Sequence, residues 1–461
     1  MTYLESSSFE RNSQPQKLSV LVAVGTRPEA IKMVPVILAL KESDAFRPVV
    51  LSTGQHTHMV QQVLALADIR IDAVLGGDGG ASGLNGLFPA VMTGFERFCN
   101  ETYGAADSRL PMASDLLPGG RPCAVLVHGD TSSALAVALA AFHLRIPVVH
   151  VEAGLRTGGS VLEPFPEEMN RQAISRIACL HFAPTRLCAE NLIREGVPYA
   201  QVLVTGNTAI DALKWALTLN RPFANRTVES IMHGERRVVA VTAHRRESWG
   251  GGLARVAEAV KRLAYRYPDI EFVVSVHPNP LVKRELGEPL AGIENVTATP
   301  PMGYLDFARL IERSELVITD SGGIQEEAPA LNKPVLVTRD TTERTEGLIA
   351  GTVELVGSDS DRIEARAARL LDDPLAYSAM ARAQNPYGDG RAASRIVGAL
   401  IHLRGAGRPA DSFGSDYDPL EVLRVAGYSQ VVVQMQKSDG VEPIPTMALA
   451  AAGPEASARF T

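Results

Sequence analysis

Nine short apolar runs recur along the chain with polar, helix-like segments between them: "SVLVAVG" from Ser19, "PVVLSTG" from Pro48, "CAVLVHGD" from Cys123, "IPVVHVEAG" from Ile146, "HFAPT" from His181, "VVAVTAH" from Val238, "EFVVSVHP" from Glu271, "ELVITDSGG" from Glu315 and "KPVLV" from Lys333. Most are rich in valine, and they lack the apolar-polar alternation of a strand with one wet face. Strands of that kind are covered on both sides, as in a parallel sheet flanked by helices. Strand and helix alternating in two successive series predict an α/β protein with two doubly wound sheets. A length of 461 residues with 46% apolar content agrees, since it exceeds what one typical core organises.

The two series meet near "VLVTGNTAID", Val202 to Asp211, which places a boundary at about residue 206. Residues 1–16 read as a disordered N-terminus. The stretch 76–121 reads as a long Gly- and Pro-rich connection with a helix in "LFPAVMTGFERFCNE". After Arg404 the composition turns to Gly, Pro, Ala and Ser, so 404–461 reads as a largely disordered tail of unknown role.

A formal net charge of -7 argues against a nucleic-acid partner. The apolar run Ala134 to Phe142 is far below the ~20 residues that span a bilayer, so no membrane span is expected. The cysteines Cys99, Cys123, Cys179 and Cys188 have no C-x-x-C spacing, and no secretory signal is evident; a cytoplasmic location is expected. No carboxylate or histidine cluster has zinc-site spacing, the His56-x-His58 pair included, so no metal is expected. There is no Walker A loop, no G-x-S-x-G elbow, and "GDGRAA" at Gly388 does not follow a strand, which removes NAD; no cofactor is expected.

Ligands of open parallel sheets sit beyond the carboxyl ends of the strands. Nearly every run here ends in polar residues: Arg27 and Glu29, Gln55 and His56, Asp130, Glu152 and Arg156, His244 to Arg246, His277, then Asp320 and Ser321. Ser321, Gly322 and Gly323 stand where a strand turns into a helix, so uncrowded backbone N–H groups can meet a phosphate, although Gly-Gly there also serves tight packing. The dipole supplies only about 0.3–1 kcal/mol at a surface site, so cations must help. Arg27, Lys32 and an arginine of "RDTTER", Arg339 to Arg344, are available. Glu326 and Glu327, one or both, would accept hydrogen bonds from sugar hydroxyls. Asp130, Glu152 and Glu167 or Glu168 gather carboxylates in one cleft, where crowding raises pKa values and separates acid from base. Arg171, four residues after Glu167, is placed to pair with it. His244 can contact phosphate or act as acid.

Together "GTRPEAIKM", "TGQH", "VHGDT", "HVEAGLRTG", "FPEEMNRQ", "GNTAID", "TAHRRES", "TDSGGIQEEAPAL", "RDTTERTEG" and "NPYGDG" occur in the order seen in the non-hydrolysing UDP-N-acetylglucosamine 2-epimerases, which the chain resembles from about Lys17 to Arg404. The resemblance implies two Rossmann-like domains facing a central cleft, a glycosyltransferase-B-like fold. Residues 17–206 would form the sugar and catalytic side and 207–390 the UDP-binding side, with a helix at 391–403 crossing back. It implies that Ser321, Gly322 and Gly323 hold the diphosphate, Glu327 the ribose, and Phe307 lies by the uracil. Arg27, Lys32, His277 and Arg344 become further UDP contacts, and Asp130, Glu152, Glu167, Arg171 and His244 the catalytic set. Gln55 and His56 match contacts of a second UDP-sugar, which acts as an activator. The implied reaction is C2 epimerisation of UDP-N-acetylglucosamine by anti elimination of UDP and re-addition, in a homodimer. Glu163, Ser248 and Met302 depart from the family pattern, which leaves diacetamido-uronate sugars open as substrates. A hydrolysing relative, a B-type glycosyltransferase and a non-catalytic UDP-sugar sensor are the competing readings.

Overall fold

The computed structural model describes residues 17–76, 83–104, 121–245, 248–403, 411–414 and 421. The expected disordered N-terminus, Arg246, the glycine-rich edges of the 76–121 connection and most of the 404–461 tail lie outside these. Residues up to Tyr417 form one compact unit; within the second, Asp418–Thr461, only Glu421 is described.

Two wholly parallel sheets organise the first unit. One contains β1 (Leu18–Val24), β2 (Phe46–Ser52), β3 (Ala73–Val74), β4 (Ala124–His128), β5 (Val148–Val151), β6 (Leu180–Ala183) and β7 (Val202–Val204), in the order β3-β2-β1-β4-β5-β6-β7. The other contains β8 (Arg237–Thr242), β9 (Ile270–Ser275), β10 (Val296–Thr299), β11 (Leu316–Thr319), β12 (Val335–Val337) and β13 (Val353–Leu355), in the order β10-β9-β8-β11-β12-β13. The strands are buried almost throughout, which is why their sequences do not alternate. In each sheet the winding reverses beside its first strand, between β1 and β4 and between β8 and β11. A crevice opens at such a reversal because successive connections depart to opposite faces.

Helices cover both faces of each sheet. The Arg27–Glu42 helix buries Met33, Val34 and Ile37 on one face of the first sheet, in the same core as Ile396 and Leu400 of the Ala392–Leu403 helix. That late helix is anchored by Asp211, whose carboxylate accepts the N–H groups of Ala392 and Ala393 at 3.1 and 2.9 Å. On the opposite face pack Ser132–His143 and Leu84–Tyr103, the latter being the helix expected within the long connection. Where the chain passes between the sheets, Asn207 donates its backbone N–H to Tyr387 O at 2.6 Å. Of the tail, Phe413 donates its backbone N–H to Val204 O at 2.8 Å, extending the edge at β7. No helix among the described residues is long and apolar enough to cross a membrane.

Candidate active site

Each winding reversal is held open by one buried carboxylate. In the first sheet it is Glu29, whose Oε2 accepts the backbone N–H groups of Gly25 and Thr26 at 2.9 and 2.6 Å and whose Oε1 accepts the Thr131 hydroxyl at 2.7 Å. This ties the loop after β1 to the loop after β4 and is the T-x-x-E capping box of the following helix. Gly25 permits it, because a Cβ there would lie 2.3 Å from Ser133 Oγ and 2.4 Å from Thr53 Oγ1. In the second sheet Asp320, wholly buried at the tip of β11, accepts the N–H groups of His244 and Arg245, both at 2.7 Å. Both carboxylates stand among the strand-end residues named from the sequence, but neither was assigned a role there. The capping-box pattern signals Glu29; Asp320 carries no signal beyond its place at a strand end.

Glu152 follows β5 with φ at 63°, a left-handed conformation that costs a residue other than glycine about 1–2 kcal/mol. The conformation accompanies a carboxylate bonded to the Arg27–Glu42 helix: Lys32 Nζ donates to Glu152 Oε2 at 2.5 Å. His128 Nε2, at the end of neighbouring β4, stands 3.6 Å from the same oxygen. Burial opposes ionisation of Glu152, but Lys32 and His128 outweigh it and hold the carboxyl well below its ordinary range. Burial likewise opposes the Lys32 charge, and Glu152 and Glu326 override it and push the ammonium up.

A second network joins the loop after β4 to the Glu167–Ile177 helix. Arg171 donates through Nε to Asp130 Oδ2 at 2.9 Å and through Nη1 to Glu168 Oε2 at 2.8 Å. Asn170 fixes the backbone by donating to Asp130 O at 2.8 Å. The expected Glu167–Arg171 pair is therefore corrected. Arg171 turns to the buried Glu168, three residues away, while Glu167 is half-exposed in the first turn of the Glu167–Ile177 helix and pairs with no cation among the described residues. The expectation that crowded carboxylates raise one another is corrected for Glu152 and Glu168. Each has a cation, and although burial acts against the Glu168 charge, Gln172 and Arg171 hold that carboxyl down.

In the second half, His244 and His277 project from the ends of β8 and β9, and their rings stack at 5.9 Å with an interplanar angle of 13°. Ser321 occupies the N-cap position of the Gly322–Glu327 helix without a side-chain capping bond, and the two glycines differ in surroundings. A Cβ on Gly322 would meet Glu343 Oε1 at 3.2 Å and Arg245 and Arg344 at 3.3 Å, whereas a Cβ on Gly323 would meet nothing within 4 Å. Arg344 donates to Glu326 Oε1 at 2.9 Å and to Glu343 Oε1 at 2.7 Å, and Asn207 donates to Glu326 Oε2 at 2.6 Å. Glu326, one of the two carboxylates expected to be free for sugar hydroxyls, is thus taken up by protein donors. Glu327 retains that possibility: burial, relieved in part by Lys32, pushes its carboxyl up to about 8. Phe307, like Met302, packs half-buried against the core of the second sheet. Arg27, at the first position of its helix, is partly exposed.

The halves meet in a cavity lined by Glu152, Thr185, Asn207, Glu326, Arg344 and Tyr387, among others. Thr185 donates across it to Glu346 Oε1 at 2.7 Å. Gln55 lies at the edge of the first winding reversal, its Oε1 accepting the Ser133 hydroxyl at 2.9 Å, and His56 immediately precedes the next helix, Thr57–Leu66. The arrangement brings Glu152 from the first half and Arg344, which lies against Gly322, from the second to one cavity, a pairing suited to proton transfer next to a bound anion.

A family model described as UDP-N-acetylglucosamine 2-epimerase matches residues 108–401. UDP-N-acetylglucosamine 2-epimerases of Yersinia pestis and Escherichia coli K12 are 44% and 43% identical, over 83% and 84% of this chain and 98% and 99% of theirs. The crystal structure of the Neisseria meningitidis UDP-GlcNAc 2-epimerase bound to UDP-GlcNAc superposes with a TM-score of 0.70 at 39% identity, covering 84% of this chain and 100% of that one. The chain belongs to the UDP-N-acetylglucosamine 2-epimerase family.

Proposed function

We propose that the chain interconverts UDP-N-acetylglucosamine and UDP-N-acetylmannosamine without net hydrolysis. The C2 proton is weakly acidic because no carbonyl is attached to that carbon, so direct deprotonation is costly. Anti elimination avoids this: a base takes the C2 proton, the C–H pair forms the C1–C2 double bond, and UDP leaves C1 with its bonding electrons. Re-addition of UDP to the 2-acetamidoglucal, with a proton delivered to the other face of C2, completes the inversion.

The observation that carries this reading is that Glu152 from the first half and Arg344 from the second line one cavity, with Arg344 lying against the Gly322 backbone. Asp130, Glu152 and Glu167 serve the C2 proton, and Arg171 orients Asp130. Arg27, Lys32, Arg344, His244, His277 and the Ser321–Gly323 amides receive the charge that develops on the departing diphosphate. Glu327, protonated near neutrality, both donates to and accepts from ribose hydroxyls, and Phe307 flanks the uracil. Residues 17–206 act as the sugar side and 207–390 as the UDP side of a cytoplasmic homodimer, with Gln55 and His56 in a second, activating UDP-sugar site.

Incubation with UDP-N-acetylglucosamine in D2O, followed by proton NMR, tests the reaction. Deuterium at C2 together with UDP-N-acetylmannosamine is the expected result. Free N-acetylmannosamine and UDP would reveal a hydrolase, and unchanged substrate a sensor. Asp130→Asn and Glu152→Gln should each abolish exchange yet retain UDP binding; normal exchange in both would overturn the assignment.

A further inference from the structure

Lys32 stands between two demands. Its ammonium is bonded to Glu152 at 2.5 Å in the first half, and it also feels the charges of Glu326 and Arg344 in the second. Arg344 in turn reaches Glu326 at 2.9 Å and lies against the Gly322 backbone, its Cζ 3.3 Å from where a Cβ would be. An anion seated at Gly322 and Gly323 would therefore enter the electrostatic neighbourhood of the same ammonium.

We propose that Lys32 is a positioning residue that holds Glu152 idle in the unliganded protein and transfers to the diphosphate of an incoming nucleotide sugar, releasing the carboxylate for proton transfer. This rests on reading the cleft as a nucleotide-sugar site. A carboxylate bonded to an ammonium is a weak base, and base catalysis improves as the acceptor's proton affinity approaches the working pH. A fixed Lys32–Glu152 pair would thus work against the chemistry assigned to Glu152. A pair that opens when the substrate's own anion arrives turns the carboxylate into a base only with the leaving group in place. The charged and titratable groups facing Glu152 are Lys32 from the first helix, His128 from β4, and Arg344 and Glu326 from the opposite half. Of these Lys32 is the one hydrogen-bonded to it, so its departure changes the proton affinity of Glu152 most.

Transfer of the ammonium makes nucleotide binding draw a proton onto Glu152. The test is calorimetric titration of the full chain with UDP in two buffers of different ionisation enthalpy at mildly acidic pH, at saturating ligand. The wild type should take up more protons than Glu152→Gln; subtracting one from the other cancels the protons that UDP itself carries. Lys32→Met, or Lys32→Gln should Met disturb folding, should lose the excess. Equal proton counts in wild type and Glu152→Gln, or an excess that survives loss of Lys32, would overturn the inference while leaving the epimerase reading intact. Failure of UDP to bind would overturn both. In the kinetics, the acid limb of kcat should lie at higher pH than that of kcat/KM, and Lys32→Met should move the second toward the first; a merely structural role would move neither limb.

Discussion

Gly323→Ala separates a packing role for the Gly-Gly turn from a binding role. Gly323 is the second residue of its helix, exposed, and an added Cβ meets nothing within 4 Å. Alanine is the better helix former by about 0.5–1 kcal/mol, so the unliganded protein should be as stable or slightly more so. The open space is where a phosphate oxygen would approach the backbone N–H, and a methyl group there obstructs it. Loss of one charge-assisted hydrogen bond costs about 1.5–3 kcal/mol, equivalent to a weakening of about tenfold or more in UDP affinity. Urea titration of the unliganded variant and calorimetric titration with UDP read the two effects separately. Unchanged UDP affinity would refute the placement of the diphosphate, and a destabilised unliganded protein would show that the turn serves packing. Gly322→Ala provides the contrast. Its Cβ would press on Glu343, Arg245 and Arg344 at 3.2–3.3 Å, so it should disturb the arginine cluster as well as the ligand.

Glu168→Ala should destabilise the fold by about 1.5–3 kcal/mol, since it removes a buried charge-assisted hydrogen bond from Arg171, which keeps Asp130 as its remaining carboxylate; urea titration checks this, and a loss under 1 kcal/mol would contradict it. Glu327 has a folded-state pKa of about 8, above the ordinary value, so the folded state binds the extra proton between the two. Its stabilising effect is therefore present in acid and is lost as pH rises toward 8; Glu327→Gln should flatten this slope in melting temperatures measured across that window. Glu343 has the opposite sign. Burial opposes its charge, but Arg344 and Arg339 hold its carboxyl down at about 2, so its contribution is complete above the unfolded pKa and is lost as pH falls through the folded one. Glu343→Gln should accordingly reduce the acid-limb slope of a pH-stability profile, and an unchanged slope would refute the pairing.

The interior strands were legible because burial on both faces leaves an uninterrupted apolar run, as in β1, β8 and β11. The edge strands β3, β10 and β13 were not. They have two to four residues, and their exposed or half-exposed positions include Val74, Thr297 and Glu354, so no run forms. Strand ends led to Asp130, Glu152 and His244 because parallel topology alone selects those positions. Partners within the site were less legible. Helical spacing offers Arg171 both Glu167 and Glu168, and what decides is that Glu168 faces inward beside Asp130, a relation between separate elements. Lys32 could not be paired with Glu152 from sequence, since 120 residues separate them and only the β1-β4-β5 order brings the first helix over the end of β5.

The cavity's charges are divided in a way that bears on how the site works. Glu29 Oε2 and Asp320 Oδ2 each accept two backbone N–H groups, so both winding reversals are shaped before any ligand arrives. The charged side chains that line the cavity are instead already matched, Glu152 with Lys32 behind it and Arg344 with Glu326 and Glu343. Backbone amides at Gly322 and Gly323 can receive an anion without rearrangement, whereas the arginine and lysine must loosen an existing ion pair to do so. A doubly charged ligand can repay that exchange and a neutral sugar cannot, so recognition of the nucleotide's diphosphate should precede activation of the carboxylates opposite it.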